Sequence, residues 1–150
     1  MKVFIIFVSL LLVNVSALVY QGDLGRYVQE QLLLKEAAEE CAAGAALLIN
    51  QEEYADGKLV FDYEAGQKYA LEYLVYIKRN SRVLSAGKIE CKVEFEDDHS
   101  GYASSNFDKN PAVTVNISVL TEDLFRLPFL YVTSLERSAR YELPEEETSH

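Results

Sequence analysis

The chain has 150 residues, 49% of them hydrophobic, and a formal net charge of −10. That is enough apolar material for one packed domain, which excludes wholesale disorder. The acidic balance excludes a nucleic-acid binder, since phosphates would be repelled, and a polybasic membrane-surface peptide.

The first element is apolar. Val3 to Tyr20 carries no charge, and only Ser9, Asn14 and Ser16 interrupt it. As a helix this run rises roughly 27 Å at ~1.5 Å per residue, close to the thickness of a hydrocarbon core. The run predicts a membrane anchor over residues 1–21, with Val3, Phe4, Ile5, Ile6, Phe7, Leu10, Leu11, Leu12 and Val13 in lipid. Lys2 precedes the run and Asp23 is the first charge after it. The positive-inside preference then keeps the N-terminus cytoplasmic and exports the rest, a single-pass arrangement in the cell membrane. The same residues allow a second reading: a signal peptide over 1–17, ending at the small-residue site Val15-Ser16-Ala17, and a secreted product. The chain passes from Tyr20 straight into a helical pattern, which favours the retained anchor. Both readings place the remainder outside the cytoplasm.

From Leu24 to Ile49 the apolar spacing is helical, with Leu24, Val28, Leu34, Ala38, Cys41, Ala45 and Leu48 assigned to the inner face. Gln29, Glu30, Glu36, Glu39 and Glu40 form the wet side. The small residues Ala42 to Ala46 predict close packing on a sheet or a second helix. Gly22 and Gly25 predict a kink between the membrane half and the exported half. Asp56-Gly57 marks a turn. Asp62 is the expected N-cap of a second helix reaching about Arg79, with Ala65, Tyr69, Ala70, Tyr73, Leu74 and Ile77 inward. Lys78 and Arg79 suit the negative end of its dipole, and Asn80-Ser81 breaks it.

Strands follow. Ile89, Cys91, Val93 and Phe95 alternate with charged residues, and Val113, Val115, Ile117 and Val119 alternate with Thr114, Asn116 and Ser118. A polar loop over 97–110, closed by Pro111, joins them. Thr121-Glu122-Asp123 predicts a capped helical turn holding Leu124 and Phe125, and Phe129 to Tyr141 a third strand. Residues 144–150 read as an acidic, disordered tail. The expected fold is α+β: a long N-terminal helix and a second helix packed on an antiparallel sheet of about three strands, within an extracytoplasmic domain over 22–143.

Cys41 and Cys91 are both expected on inner faces. Outside the cytoplasm they can join, closing a loop of about 50 residues and adding roughly 2–4 kcal/mol; the alternative is two small buried thiols. Glu94, Glu96, Asp97, Asp98 and His99 form an acidic corner, read as a solvated turn rather than a metal site because calcium-loop spacing is missing. Asn116-Ile117-Ser118 fits a glycosylation sequon but lies inside a strand. Leu124, Phe125, Leu127, Phe129 and Leu130, around Pro128, are either a partner-docking patch or the closure of the core at the sheet edge, the latter being favoured. No Ser-His-Asp, HExxH or phosphate-loop pattern is present, so neither an enzyme nor a cofactor is expected.

Asp23-Leu24-Gly25-Arg26-Tyr27-Val28, followed by Leu34-Lys35-Glu36-Ala37-Ala38-Glu39-Glu40-Cys41-Ala42-Ala43-Gly44-Ala45-Ala46, resembles the TadE/TadG-like pilin-related proteins of tight-adherence (Tad/Flp) pilus systems. In that family a membrane helix leads into a D-x-x-R-like element and then an alanine-rich stretch. Here Glu39-Glu40 fill the acidic position and Cys41 intrudes. The likeness covers the first 50 residues best. Residues 1–20 hold neither the Gly nor the Glu of a processed prepilin, which argues against a polymerising major subunit. The resemblance implies a pilin-like, bacterial structural protein in surface adhesion: a minor or accessory component whose partners are the membrane and other pilin-like subunits or the pilus assembly platform. The alternative function is a secreted, soluble helix-over-sheet binding module, similar in layout to cystatin-like inhibitors or ligand-binding domains.

Overall fold

The structure, a computed structural model, describes all residues except 105, 107, 128 and 145–150. The expected acidic tail therefore lies, from residue 145 on, outside the described residues, as does Pro128.

One helix, α1, runs unbroken from Lys2 to Ala46. The expected kink does not interrupt it. Helix hydrogen bonding continues through Gly22 and Gly25, both of which face open space. Each glycine costs a helix only about 1 kcal/mol, too little to break one rich in Ala, Leu and Glu. The helix stops at Ala46 because the next residues are taken by the chain that follows. Asn50 N–H donates to Val60 O at 2.8 Å, Asp62 N–H donates to Leu48 O at 2.8 Å, and Ile49 bridges Phe61. Between these contacts sits a five-residue helix, α2 (Gln51–Ala55), capped by the Asn50 side chain. The expected turn closes it, with Gly57 at φ 80°. Next comes α3 (Tyr63–Asn80), whose N-cap Asp62 accepts from Ala65 N–H as expected. Ser81 ends α3 and caps α4 (Arg82–Ala86), a second short helix the sequence reading lacked.

The sheet is an antiparallel meander of β1 (Lys88–Glu96), β2 (Ala112–Leu120) and β3 (Ser134–Glu142), in that order. Val119 pairs with Ile89 and Leu135, and Ile117 with Cys91 and Arg137. The α+β architecture is as the alternating strands and periodic helices implied. Strand β3 starts later than expected, at Ser134 instead of Phe129.

Helices α1 and α3 cover one face of the sheet: α1 packs on β2, β3 and α3, while α3 reaches β1. Small residues make this possible. Ala37, Ala38, Cys41, Ala42, Ala45 and Ala46 are fully buried on α1. At Gly44 a Cβ would lie 2.0 Å from Tyr69 Cε1, so the glycine admits the ring of α3. On α3 the buried residues are Gly66, Ala70, Leu74 and Ile77, with Tyr69 and Tyr73 half-buried.

The inner face of α1 differs from expectation in its middle. Leu34, Ala38, Cys41 and Ala45 are buried, but Leu24 and Val28 are exposed. At about 100° per residue they lie roughly 80° and 120° around the helix from Leu34. Asp23 and the half-buried Tyr27 hold the in-phase positions instead.

Candidate functional site

Among the described residues, nothing buries the apolar half of α1. Every one of Val3, Phe4, Ile5, Ile6, Phe7, Leu10, Leu11, Leu12 and Val13 is exposed, and a continuous 18-residue stretch is apolar enough to cross a membrane. Its polar side chains are turned back onto the helix. Ser9 Oγ donates to Ile5 O and Asn14 Nδ2 to Leu10 O, both at 2.8 Å. Such back-bonding lets polar groups sit on an otherwise apolar helix without needing water.

Where this half ends, the connection between β2 and β3 is fastened to α1. The first carboxylate after the apolar run, Asp23, is 2% exposed and accepts from Arg126 N–H at 2.9 Å, with Arg126 Nε 3.8 Å away. The Phe125 ring packs between Tyr20 and Tyr27, at centroid distances of 6.1 and 6.0 Å. The expected helical turn at 121–125 is absent. Thr121 N–H donates to Thr133 O and Leu124 N–H to Val132 O, prolonging the β2–β3 pairing past the strands. Asp123 Oδ1 does not start a helix but accepts from Phe125 N–H and Val132 N–H.

The five-residue patch is thereby divided. Leu124 and Phe125 are buried and close the core, so they are not docking residues. Leu127 is half-buried, as is Leu130, which packs on the core. Phe129 remains outward at 73% exposure, with Tyr131 beside it at 75%. The sequence reading missed Asp23. Its signal was a carboxylate within about 20° of the buried face that begins at Leu34.

The acidic corner is a structural knot. Asp97 is fully buried. It accepts from Phe61 N–H (3.0 Å), His99 N–H (3.0 Å), Ser100 N–H (2.7 Å) and the Tyr63 hydroxyl (2.9 Å). Burial pushes its carboxyl up, but the Ser100 and Phe61 N–H groups and the Tyr63 and Ser100 hydroxyls outweigh it and leave it below the ordinary value. Asp98 accepts from Leu59 N–H and the Tyr102 hydroxyl. Glu96 pairs with Arg140 from β3 and also accepts from Ala103 N–H and Asn106 Nδ2. With these oxygens already occupied, the corner has little left to offer a cation. Among the described residues no group of three His, Cys, Asp or Glu is arranged to hold a metal.

The Arg140 guanidinium holds the Glu96 carboxyl down to about 2, against the opposing effect of burial. A carboxyl depressed in the fold contributes stability above its unfolded value and loses it on acidification. The urea midpoint of the full chain in non-ionic micelles is therefore expected to fall between about pH 5 and pH 2. Glu96→Gln should lower the midpoint at pH 7 and make that acid limb shallower. An acid limb of unchanged slope would show that the pair contributes nothing.

Cys41 and Cys91 face the core side as expected, Cys91 half-buried, but the disulfide is not formed: both are free thiols. The Cys41 sulfur is turned to α3, 3.7 Å from Ala70 O. Burial, with Cys91 and Glu40 nearby, pushes its thiol up to about 12, and burial raises Cys91 too. Neither is an activated nucleophile. At the far end of α1, Leu47, Ile49, Tyr54, Leu59, Pro111 and Leu143 line an open groove of about 880 Å³. No family model, curated protein or solved structure matches the chain.

Proposed function

We propose that this chain is a membrane-anchored structural subunit whose α+β head stands outside the cytoplasm, as a minor or accessory component of a Tad/Flp-type surface pilus or its assembly machinery. One observation carries the anchored reading: a single helix passes from the bare apolar half into the centre of the head without a break. A cleaved leader has no need to continue into the core helix of the mature protein. The outward stripe of Leu24, Val28 and Leu32 extends the apolar surface beyond the anchor. Such a stripe suits side-by-side contact with another helical subunit, in keeping with the likeness of residues 23–46 to pilin-related proteins.

Fractionation of producing cells, with N-terminal sequencing of the product, tests the reading. The protein is expected in the membrane pellet after a carbonate wash, with residues 2–17 retained. Deletion of residues 2–20 should move it to the soluble fraction. A soluble product beginning at Leu18 would overturn the anchored subunit and support the secreted binding module. Partners recovered with the native membrane protein then decide between filament and assembly platform.

A further inference from the structure

We infer that the tip of the β2–β3 connection rests in the lipid headgroup layer, with Phe129 and Tyr131 as its membrane-facing side chains; this rests on the anchored reading above. The argument is one of depth. Tyr20 ends the apolar run, and a tyrosine there suits the membrane–water interface. Asp23 lies three residues on, about 4.5 Å further along the helix at ~1.5 Å per residue. The interfacial layer on each side of a bilayer is about 5–7 Å deep. The Phe125 ring is 6.1 Å from that of Tyr20, and Arg126 N–H is bonded to Asp23. The start of the tip is thus held within that layer.

Direction agrees with depth. The β2–β3 pairing continues beyond Leu120 and Ser134 through Thr121 with Thr133 and Leu124 with Val132. The connection therefore leaves the sheet at the end where Asp23 and Tyr20 meet it, toward the apolar half of α1. The chain then doubles back, with Leu130 N–H donating to Leu127 O at 3.1 Å. Phe129 lies within that turn and Tyr131 just after it, both pointing outward. Two aromatic rings exposed at this level match the amphipathic belt that anchors proteins at an interface.

Charge has a minor part. Arg126 and Arg26 are exposed at this level, but Glu122 is exposed in the same connection, and Asp23 faces Arg126. The rings carry the contact, so it should survive in uncharged lipid.

The sequence contains no tryptophan, which makes the test direct. Four single-tryptophan variants of the full chain, F7W, Y54W, F129W and Y131W, are placed in phosphatidylcholine vesicles with bromines at known acyl-chain depths. All four positions are exposed, so none disturbs the core. F129W and Y131W should be blue-shifted and lose most of their emission to shallow bromines. F7W should be quenched best by deep bromines. Y54W, at the far end of the head, should not be quenched. If F7W is quenched while F129W and Y131W behave like Y54W, the tip does not touch lipid and the inference falls, with the anchor intact. If F7W also escapes quenching, the anchored reading fails and takes the inference with it. A blue shift of F129W that follows protein density without lipid quenching would place a second copy on the tip and overturn the lipid contact.

Discussion

Asp97→Ala is expected to cost about 4 kcal/mol, the largest loss from any single polar substitution in the head. The carboxylate is fully buried and accepts from three backbone N–H groups and the Tyr63 hydroxyl. Alanine removes the acceptor and leaves the donors behind. A buried unsatisfied donor costs roughly 1–3 kcal/mol, and the Phe61 N–H, whose residue is itself buried, has little access to water. The damage should spread, because the two sides of the knot are far apart in sequence: Phe61 and Tyr63 precede and open α3, whereas His99 and Ser100 follow β1. Asp97→Asn keeps the shape and one acceptor oxygen and should lose about half as much. Urea unfolding of the full chain in non-ionic micelles, followed by circular dichroism, measures both. A loss below about 1 kcal/mol for the alanine variant would mean that water reaches these donors and that the knot is not a stability centre.

Ala42→Leu is the second large effect, at about 3 kcal/mol. Ala42 is fully buried on α1, which packs against both α3 and the sheet. The approach of α3 is set at the backbone level, since the Cys41 sulfur meets the Ala70 carbonyl and Gly44 admits Tyr69. A leucine at position 42 has no room unless α1 moves off its neighbours, and cores of this density do not yield by that much. The contrast is Leu32→Ala: Leu32 is exposed, so removing its side chain should leave the urea midpoint of the isolated protein nearly unchanged. If Ala42→Leu proves equally silent, the alanine stretch is merely a good helix former and not a packing seam.

The strands were legible because their signal is local. Ile89 to Phe95 and Val113 to Val119 alternate at a period of two, and a sheet with one dry face needs nothing more to set which side chains turn inward. The Asp62 cap was equally local. The phase of α1 between residues 23 and 31 was not legible from apolar spacing, because polar residues occupy the inner face there. Asp23 is buried only because Arg126, 103 residues later in the chain, comes back to meet it. Gln31, about two turns further along α1, is buried as well and donates to the Tyr27 hydroxyl. Phe129 to Tyr131 carry strand-like side chains, yet they lie past the register in which β2 and β3 pair, so propensity had no partner to act on. The helices α2 and α4 were readable in principle. Asn50 before Gln51-Glu52-Glu53 and Ser81 before Arg82 are ordinary capping signals, overlooked because the helices they start are a single turn long.

In the anchored subunit proposed above, the uninterrupted α1 would make the head a pointer for the bilayer beneath it. From Tyr20 to Ala46 the rod extends about 39 Å at ~1.5 Å per residue. Transmembrane helices lean by about 20° on average and lean further where the hydrocarbon is thin. With no flexible joint to absorb it, a lean of that size sweeps the groove by Leu47 sideways by roughly 13 Å. Lipid thickness would thus choose which neighbours the outer end of the molecule can reach.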